Sequence, residues 1–427
     1  MTRITGPGWV DHVMWWHVYP LGFLGADTTG ADRSGSRTLG DLEPWLDYVI
    51  ELGLNGVVLA PVFESESHGY DTVDYFRIDA RLGTEHDFDR LIAAAHARGI
   101  RVLLDGVFNH VGRRFRAPDR YPPASDLLQR GAGGAPVPFE GHDALVTLNH
   151  ADERVADLVV DVMTHWLGRG ADGWRLDAAY AVPSAFWARV LPRVRAAHPD
   201  AYLMGEYLHG DYPALVRAGS LDSATQYELW QAIWHSLEEA NFFELDWALR
   251  RHNEFLAEFT PYTFIGNHDV TRIASQIADP RHRAHALVLL LTLGGTPAIY
   301  YGDERGERAV KEHRVGGDDG IRPAYPGGPA AFGADAEAGA VFDLHRELIA
   351  LRRRHAWLSA AISRTISLTN TQYVFEASAA SSRLLVALNL DDQPLDVDGA
   401  AEAPLAGEAA RSERGWRVPP HGWVILA

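Results

Sequence analysis

The stretch EHDFDRLIAAAHARGIRVLLDGVFNH, Glu85–His110, reads as a helix followed by a buried strand. Glu85–Gly99 is an amphipathic run of helical length. Ile100–Phe108 is then almost continuously apolar, as a strand covered on both faces of a parallel sheet must be. Polar side chains return only at its C-terminal end, at Asp105, Asn109 and His110. Apart from Arg101 at its entry, the strand carries charge only at that end, and such a strand is the unit from which α/β active sites are assembled.

The pattern repeats in both directions. HVMWWHVY (His12–Tyr19) is a plausible first strand, and GVVLAPV (Gly56–Val62) follows the helical run TLGDLEPWLDYVIELG (Thr38–Gly53). After residue 110 come GWRLD, AYLMGE (Ala201–Glu206), LDSATQY (Leu221–Tyr227), YTFIGNHD (Tyr262–Asp269) and TPAIYYGDE (Thr296–Glu304), each beside a stretch of helix length. About eight strands with helical crossovers predict a parallel α/β fold. An open, doubly wound sheet concentrates its polar strand ends at one crevice. Here they occur on at least four strands, at Asp105, Asp177, Glu206 and His268–Asp269, which favours a closed (β/α)8 TIM barrel.

Two regions break the repeat. Residues 112–148 are rich in Pro, Gly and Arg and predict a small irregular insertion after the third strand. FDLHRELIALRRRHAWL (Phe342–Leu358) reads as the last barrel helix; beyond it, RTISLTNTQYVFEAS, RLLVALNLDD and GWRVPPHGWVILA read as short antiparallel strands. The expected organisation is a catalytic barrel over residues 1–111 and 149–358, the insertion at 112–148, and a C-terminal all-β sandwich domain over 359–427.

Composition narrows the function. The 427 residues carry 39 basic and 57 acidic side chains, a net charge of −18, which repels nucleic acid and anionic lipid. There is no cysteine, so disulfides, thiolate catalysis and Cys-bound metal are excluded. The N-terminus lacks the features of a signal peptide and no apolar run is long enough to span a membrane, so a soluble, cytoplasmic protein is expected. Thirteen Trp and fifteen Tyr supply flat faces suited to sugars, although core packing accounts for most of them.

GWRLDAAY (Gly173–Tyr180) places a cation two positions before an anion in a buried strand. Residues i and i+2 share a face, so Arg175 and Asp177 project together while Trp174 and Leu176 project the other way. The Arg is expected to hold Asp177 ionised. Glu206 follows apolar neighbours, where a raised pKa suits a proton donor. With Asp269, these carboxyls fit glycosidic cleavage, in which one carboxylate attacks the anomeric carbon and one acid protonates the leaving oxygen. Singly, each residue reads equally as a helix cap, loop anchor or core histidine, and an Asp/Glu/His rim also suits a divalent metal.

The ordered set resembles the α-amylase family, glycoside hydrolase family thirteen, from His12 to the C-terminus. DGVFNH (Asp105–His110), GWRLD, Gly205–Glu206 and FIGNHD (Phe264–Asp269) look like its four signatures, and HGYDTVDY (His68–Tyr75) and GTPAIYYGDE (Gly295–Glu304) like further hallmarks. The resemblance implies Asp177 as nucleophile, Glu206 as acid/base and Asp269 as transition-state stabiliser. It implies His110, Arg175 and His268 as sugar ligands, Tyr70 as a stacking platform, and Asp71 and Arg272 as further substrate-binding residues.

Within the family, GWRLDAAYAVPSAFW (Gly173–Trp187), GEYLHGDYPAL (Gly205–Leu215) and the Leu-Asn of VTLNHADERV (Val146–Val155) are similar to cyclomaltodextrinases and neopullulanases. The implied substrate is a short or cyclic α-glucan, with an α-glucosidase or transglycosylase using the same residues as the alternative and a catalytically dead scaffold as the reading outside enzymes. The Trp usual two places after the acid/base is Leu208 here, so Tyr207 is expected to supply the aromatic surface. In QYELWQAIWHSLEEANFF (Gln226–Phe243), Phe242 or Phe243 is expected to stack on an acceptor sugar. The N-terminal β-domain with which many relatives dimerise is expected to be missing, and the oligomeric state is left open. Tyr180 and Ala181 replace the Lys-His of endo-α-amylases, and only Asn109 matches a calcium-ligand position, so no cofactor or essential metal is expected, calcium included.

Overall fold

Eight parallel strands close around one axis in a computed structural model that describes residues 3–314, 316–399 and 403–427. They are β1 (Trp15–Val18), β2 (Gly56–Leu59), β3 (Arg101–Gly106), β4 (Gly173–Leu176), β5 (Tyr202–Gly205), β6 (Ser223–Ala224), β7 (Tyr262–Phe264) and β8 (Thr296–Tyr300). Hydrogen bonding runs in the order β6-β5-β4-β3-β2-β1-β8-β7. A parallel bridge between Thr225 and Tyr262, with the Gln226 N–H on the Tyr262 carbonyl at 2.9 Å, completes the ring between β6 and β7. The closed TIM barrel expected from the strand ends is therefore present.

The crossovers are α1 (Glu43–Leu52), α2 (Glu85–Ala97), α3 (Glu153–Gly168), α4 (Ser184–Ala197), α5 (Tyr212–Gly219), α6 (Tyr227–Glu238), α7 (Phe242–Glu258), α8 (Arg283–Thr292) and α9 (Ala336–Arg354). Local chemistry sets their ends. Thr84 and Asp87 form a capping box at the start of α2, and Gly53 ends α1 in the left-handed region at φ 90°. No helix among the described residues is long and apolar enough to cross a membrane.

Strand periodicity divides the core in two. Trp15, Val58, Leu103, Tyr202, Met204, Tyr262, Phe264 and Ala298 pack together inside the barrel, whereas their neighbours, Trp174 and Leu176 among them, pack outward against the helices. Trp15 and Tyr202 stack with ring centroids 6.2 Å apart and plug the interior. The packing leaves no room at Gly173, where a Cβ atom would sit 2.1 Å from the Tyr202 carbonyl oxygen.

The stretch 112–148 is irregular over most of its length, with one short helix at Ala124–Leu127, but its ends join a three-stranded antiparallel sheet formed by His110–Gly112, Pro138–Phe139 and His142–Thr147. A hairpin of Phe63–Ser65 with Thr72–Ile78 also rises beside the barrel, and the sequence had suggested no strands there. Gln226–Phe243 is not one helix: Ala240 takes a positive φ of 49° between α6 and α7. At the C-terminus, β9 (Ile362–Leu368), β10 (Gln372–Ala379), β11 (Ser382–Asn389), β12 (Leu395–Asp398), β13 (Pro404–Gly407), β14 (Ala410–Arg411), β15 (Gly415–Val418) and β16 (Trp423–Leu426) form two antiparallel sheets, ordered β9-β10-β11-β16-β13 and β12-β15-β14. Val374, Ala387, Leu395, Val397, Val418 and Val424 fill the space between them.

Candidate active site

The i, i+2 rule places Arg175 inside the barrel, and its guanidinium becomes the hub of the site. Nη1 lies 2.5 Å from Asp105 Oδ2 and 3.3 Å from Asp177 Oδ1. Nη2 lies 2.5 Å from Glu206 Oε1 and 4.0 Å from Asp269 Oδ2. Carboxylates from the ends of β3, β4, β5 and β7 thus converge on one buried cation. Surrounded by anions, Arg175 has its pKa raised well above the usual value despite burial.

The expected electrostatics of Asp177 need correction. Arg175 spends its closest contacts on Asp105 and Glu206, so one charge is divided among four acids. Burial and repulsion from Glu206 push Asp177 well above the ordinary carboxylate range, against the pull of Arg175. Burial raises Asp105 to about 7, and burial also raises Asp269. Acids this close titrate as one system that retains protons near neutral pH.

Backbone geometry couples two of the acids. Asp177 is followed by Ala178 at φ 44°, left-handed for a residue with a Cβ atom. That turn aims the Ala178 N–H at Glu206 Oε2, 2.9 Å away. Glu206 Oε1 also accepts from the Tyr227 hydroxyl at 3.1 Å, and that oxygen accepts from Asn267 Nδ2 at 2.8 Å.

Asp269 is half-buried and differently held. Its Oδ1 accepts from Arg322 Nη2 at 3.0 Å, its Oδ2 lies 3.0 Å from His268 Nε2, and its N–H donates to Asn267 Oδ1 at 2.8 Å. The His268 ring is parallel to the rings of Tyr70 (centroids 5.4 Å apart) and Tyr19 (6.2 Å). The Tyr70 hydroxyl donates to Asp105 Oδ2 at 3.0 Å and touches His268 Nε2. Burial holds His268 well below its usual pKa and lowers His110 to about 3, so both rings are neutral at pH 7. His110 stacks on Phe139 of the insertion sheet, with centroids 4.6 Å apart. His110 Nε2, His268 Nδ1 and Asp105 Oδ1 are buried without a hydrogen-bond partner.

Asp177, Glu206, Asp269, Arg175, His268 and Tyr70 are therefore brought together, and His110 lies beside them against the insertion. Asp71 is buried in the hairpin turn, where its carboxylate accepts from the Ser67 hydroxyl. Three expectations are overturned. Tyr207 is 1% exposed and packed in the core, while Leu208 faces outward, so Tyr207 offers no sugar platform. Arg272 is also sealed: it donates to the Tyr301 and Ile321 carbonyls, pairs with Asp303 and anchors the chain after β8. Phe242 lies against Tyr373 of β10, and its N–H donates to the Asn370 carbonyl, so it cannot reach a sugar. Sequence reasoning missed Arg322, Tyr227, Asn267 and Tyr19. For calcium, the described residues gather no group of three Asp, Glu or His donors around Asn109, whose amide is hydrogen-bonded to His110 Nδ1.

A family model described as the catalytic domain of alpha amylase matches residues 17–122 and 139–324. The chain is 32% identical over 342 residues to a maltogenic alpha-amylase of Bacillus acidopullulyticus, covering 70% of this chain and 57% of that protein. It is 29% identical over 431 residues to a cyclomaltodextrinase of a Bacillus species, covering 91% of this chain and 72% of the relative. The solved structure of a cyclic alpha-maltosyl-(1→6)-maltose hydrolase from Arthrobacter globiformis superposes with a TM-score of 0.81 at 23% identity, over 99% of this chain and 100% of the other. At that identity the likeness speaks for the fold.

Proposed function

The chain belongs to the alpha-amylase family of glycoside hydrolases, and we propose that it is a retaining hydrolase of α-glucosidic bonds in short or cyclic maltodextrins. The observation that carries this reading is the convergence of Asp105, Asp177, Glu206 and Asp269 on the Arg175 guanidinium. Asp177 is the nucleophile: with the proton of the coupled set resting on a neighbouring acid, its carboxylate bonds to the anomeric carbon as the glycosidic C–O bond breaks. Glu206 gives its proton to the departing oxygen, then takes one from the water that attacks the anomeric carbon and releases Asp177. Asp269, fixed by Arg322 and His268, faces the positive charge that develops on the ring. Tyr70, half-buried, offers its ring, and the buried His268 ring lies parallel to it.

The relatives named maltogenic alpha-amylase and cyclomaltodextrinase support the substrate class. The test is product release from cyclodextrins, maltotriose, pullulan, panose and starch by the wild type, Asp177→Asn and Glu206→Gln. Cyclic and short substrates are expected to be preferred, and each variant should lose about three orders of magnitude in kcat or more without unfolding. Near-wild-type turnover by either variant sinks the mechanism, and preference for starch sinks the substrate assignment.

A further inference from the structure

Away from the barrel mouth, three donors from two distant parts of the chain meet where the barrel abuts the C-terminal sheets. Asp279 and His282 lie in the 3-10 turn that leads into α8, and His421 in the turn before β16. His282 Nε2 and His421 Nδ1 are 3.0 Å apart, and Asp279 Oδ2 is 4.0 Å from His282 Nε2. One donor atom from each residue falls within a set whose members all lie within 4.8 Å of one another. We propose that Asp279, His282 and His421 form a site for a divalent transition-metal ion that ties the barrel to the C-terminal sheets.

Several features favour an ion over a simple contact. Two nitrogens about 2.1 Å from one metal and 3.0 Å apart subtend roughly 90° at it, a normal cis angle. His421 Nε2 lies 2.8 Å from Asp392 Oδ1; a hydrogen bond donated there leaves His421 Nδ1 an acceptor that faces His282 Nε2 inside the cluster, the tautomer a metal ligand needs. His421 holds this position at φ 56°, a left-handed conformation that costs energy in a residue with a side chain. His282 is buried at the base of the cluster, which fixes its ring beside His421. Two imidazoles and a carboxylate suit Zn²⁺, Co²⁺ or Ni²⁺ rather than Ca²⁺ or Mg²⁺, which prefer all-oxygen sites. Arg281 competes for Asp279, with Nη2 at 2.7 Å from Oδ2, and must be displaced for the carboxylate to close on the ion.

The test uses the full, untagged chain stripped with chelator and titrated with Zn²⁺ by calorimetry and with Co²⁺ by visible absorption. The wild type is expected to bind one tight equivalent, to develop cobalt ligand-field bands and to melt at a higher temperature with Zn²⁺. His421→Ala and Asp279→Asn should each weaken that equivalent at least tenfold and abolish the melting shift, with hydrolytic turnover unchanged. Arg281→Ala should tighten it severalfold by removing the competing cation. Equal binding by the wild type and His421→Ala, or no tight equivalent in the wild type, overturns the proposal.

Discussion

Arg322 and Asp269, 53 positions apart, are joined by a 3.0 Å hydrogen bond, and the same guanidinium donates Nε to the His268 carbonyl at 2.8 Å. The loop after β8 thereby fixes both the carboxylate and the backbone of the residue before it. Arg322→Ala is expected to lower kcat roughly 100-fold, as removal of one preorganised contact at a developing charge does. Arg322→Lys, which keeps the charge but loses the fork, should recover only part of the loss. Steady-state kinetics beside thermal melts will show whether the loss exceeds any destabilisation.

Stability should depend on pH through groups of opposite behaviour. Asp105 is raised to about 7 when folded, so the native state holds a proton that the unfolded chain has lost; this stabilisation is complete below the usual Asp value and fades as pH rises through 7. His17 and His110 are lowered to about 3 by burial, so their contribution is present above their ordinary value of 6.5 and is lost as pH falls towards 3. Maximum melting temperature is therefore expected between about pH 6 and 7. In Asp105→Asn, the decline from pH 6 to 8 should flatten; an equally steep decline refutes the assignment.

Gly173→Ala should destabilise the barrel severely. The added methyl group would meet a backbone oxygen at 2.1 Å, and a carbonyl within a parallel ladder cannot swing aside as a flexible side chain can. A loss of about 3 kcal/mol or more is expected from overpacking. Denaturant titration will measure it.

Hydrolysis at room temperature should survive EDTA and gain nothing from added calcium. The described residues near Asn109 provide no gathered set of Asp, Glu or His donors. Activity lost in chelator and restored by calcium would contradict this.

Sequence periodicity revealed the barrel because buried parallel strands leave a strong trace: a short apolar run, a polar end, then a helix. Trp174 and Leu176 packing outward while Arg175 reaches the acids follows from the same alternation. Asp177, Glu206 and Asp269 were legible because strand ends have a fixed address in this fold. Arg322 was not, since it lies in an irregular segment with no period. Phe242 was misplaced because a helix break at Ala240 re-aims everything after it, and an alanine gives no warning of a left-handed backbone. Tyr207 and Arg272 sit beside signature residues, yet adjacency along the chain says nothing about which side of a strand end opens to the cleft.

A single peptide plane, between Asp177 and Ala178, links Asp177 mechanically to Glu206. In the mechanism proposed above, a shift of Asp177 on bonding to carbon would tilt the amide that rests on Glu206, so the proton donor would receive news of the attack through the main chain itself. A substitution that relaxes this turn should therefore disturb the timing of protonation even though it removes no acid.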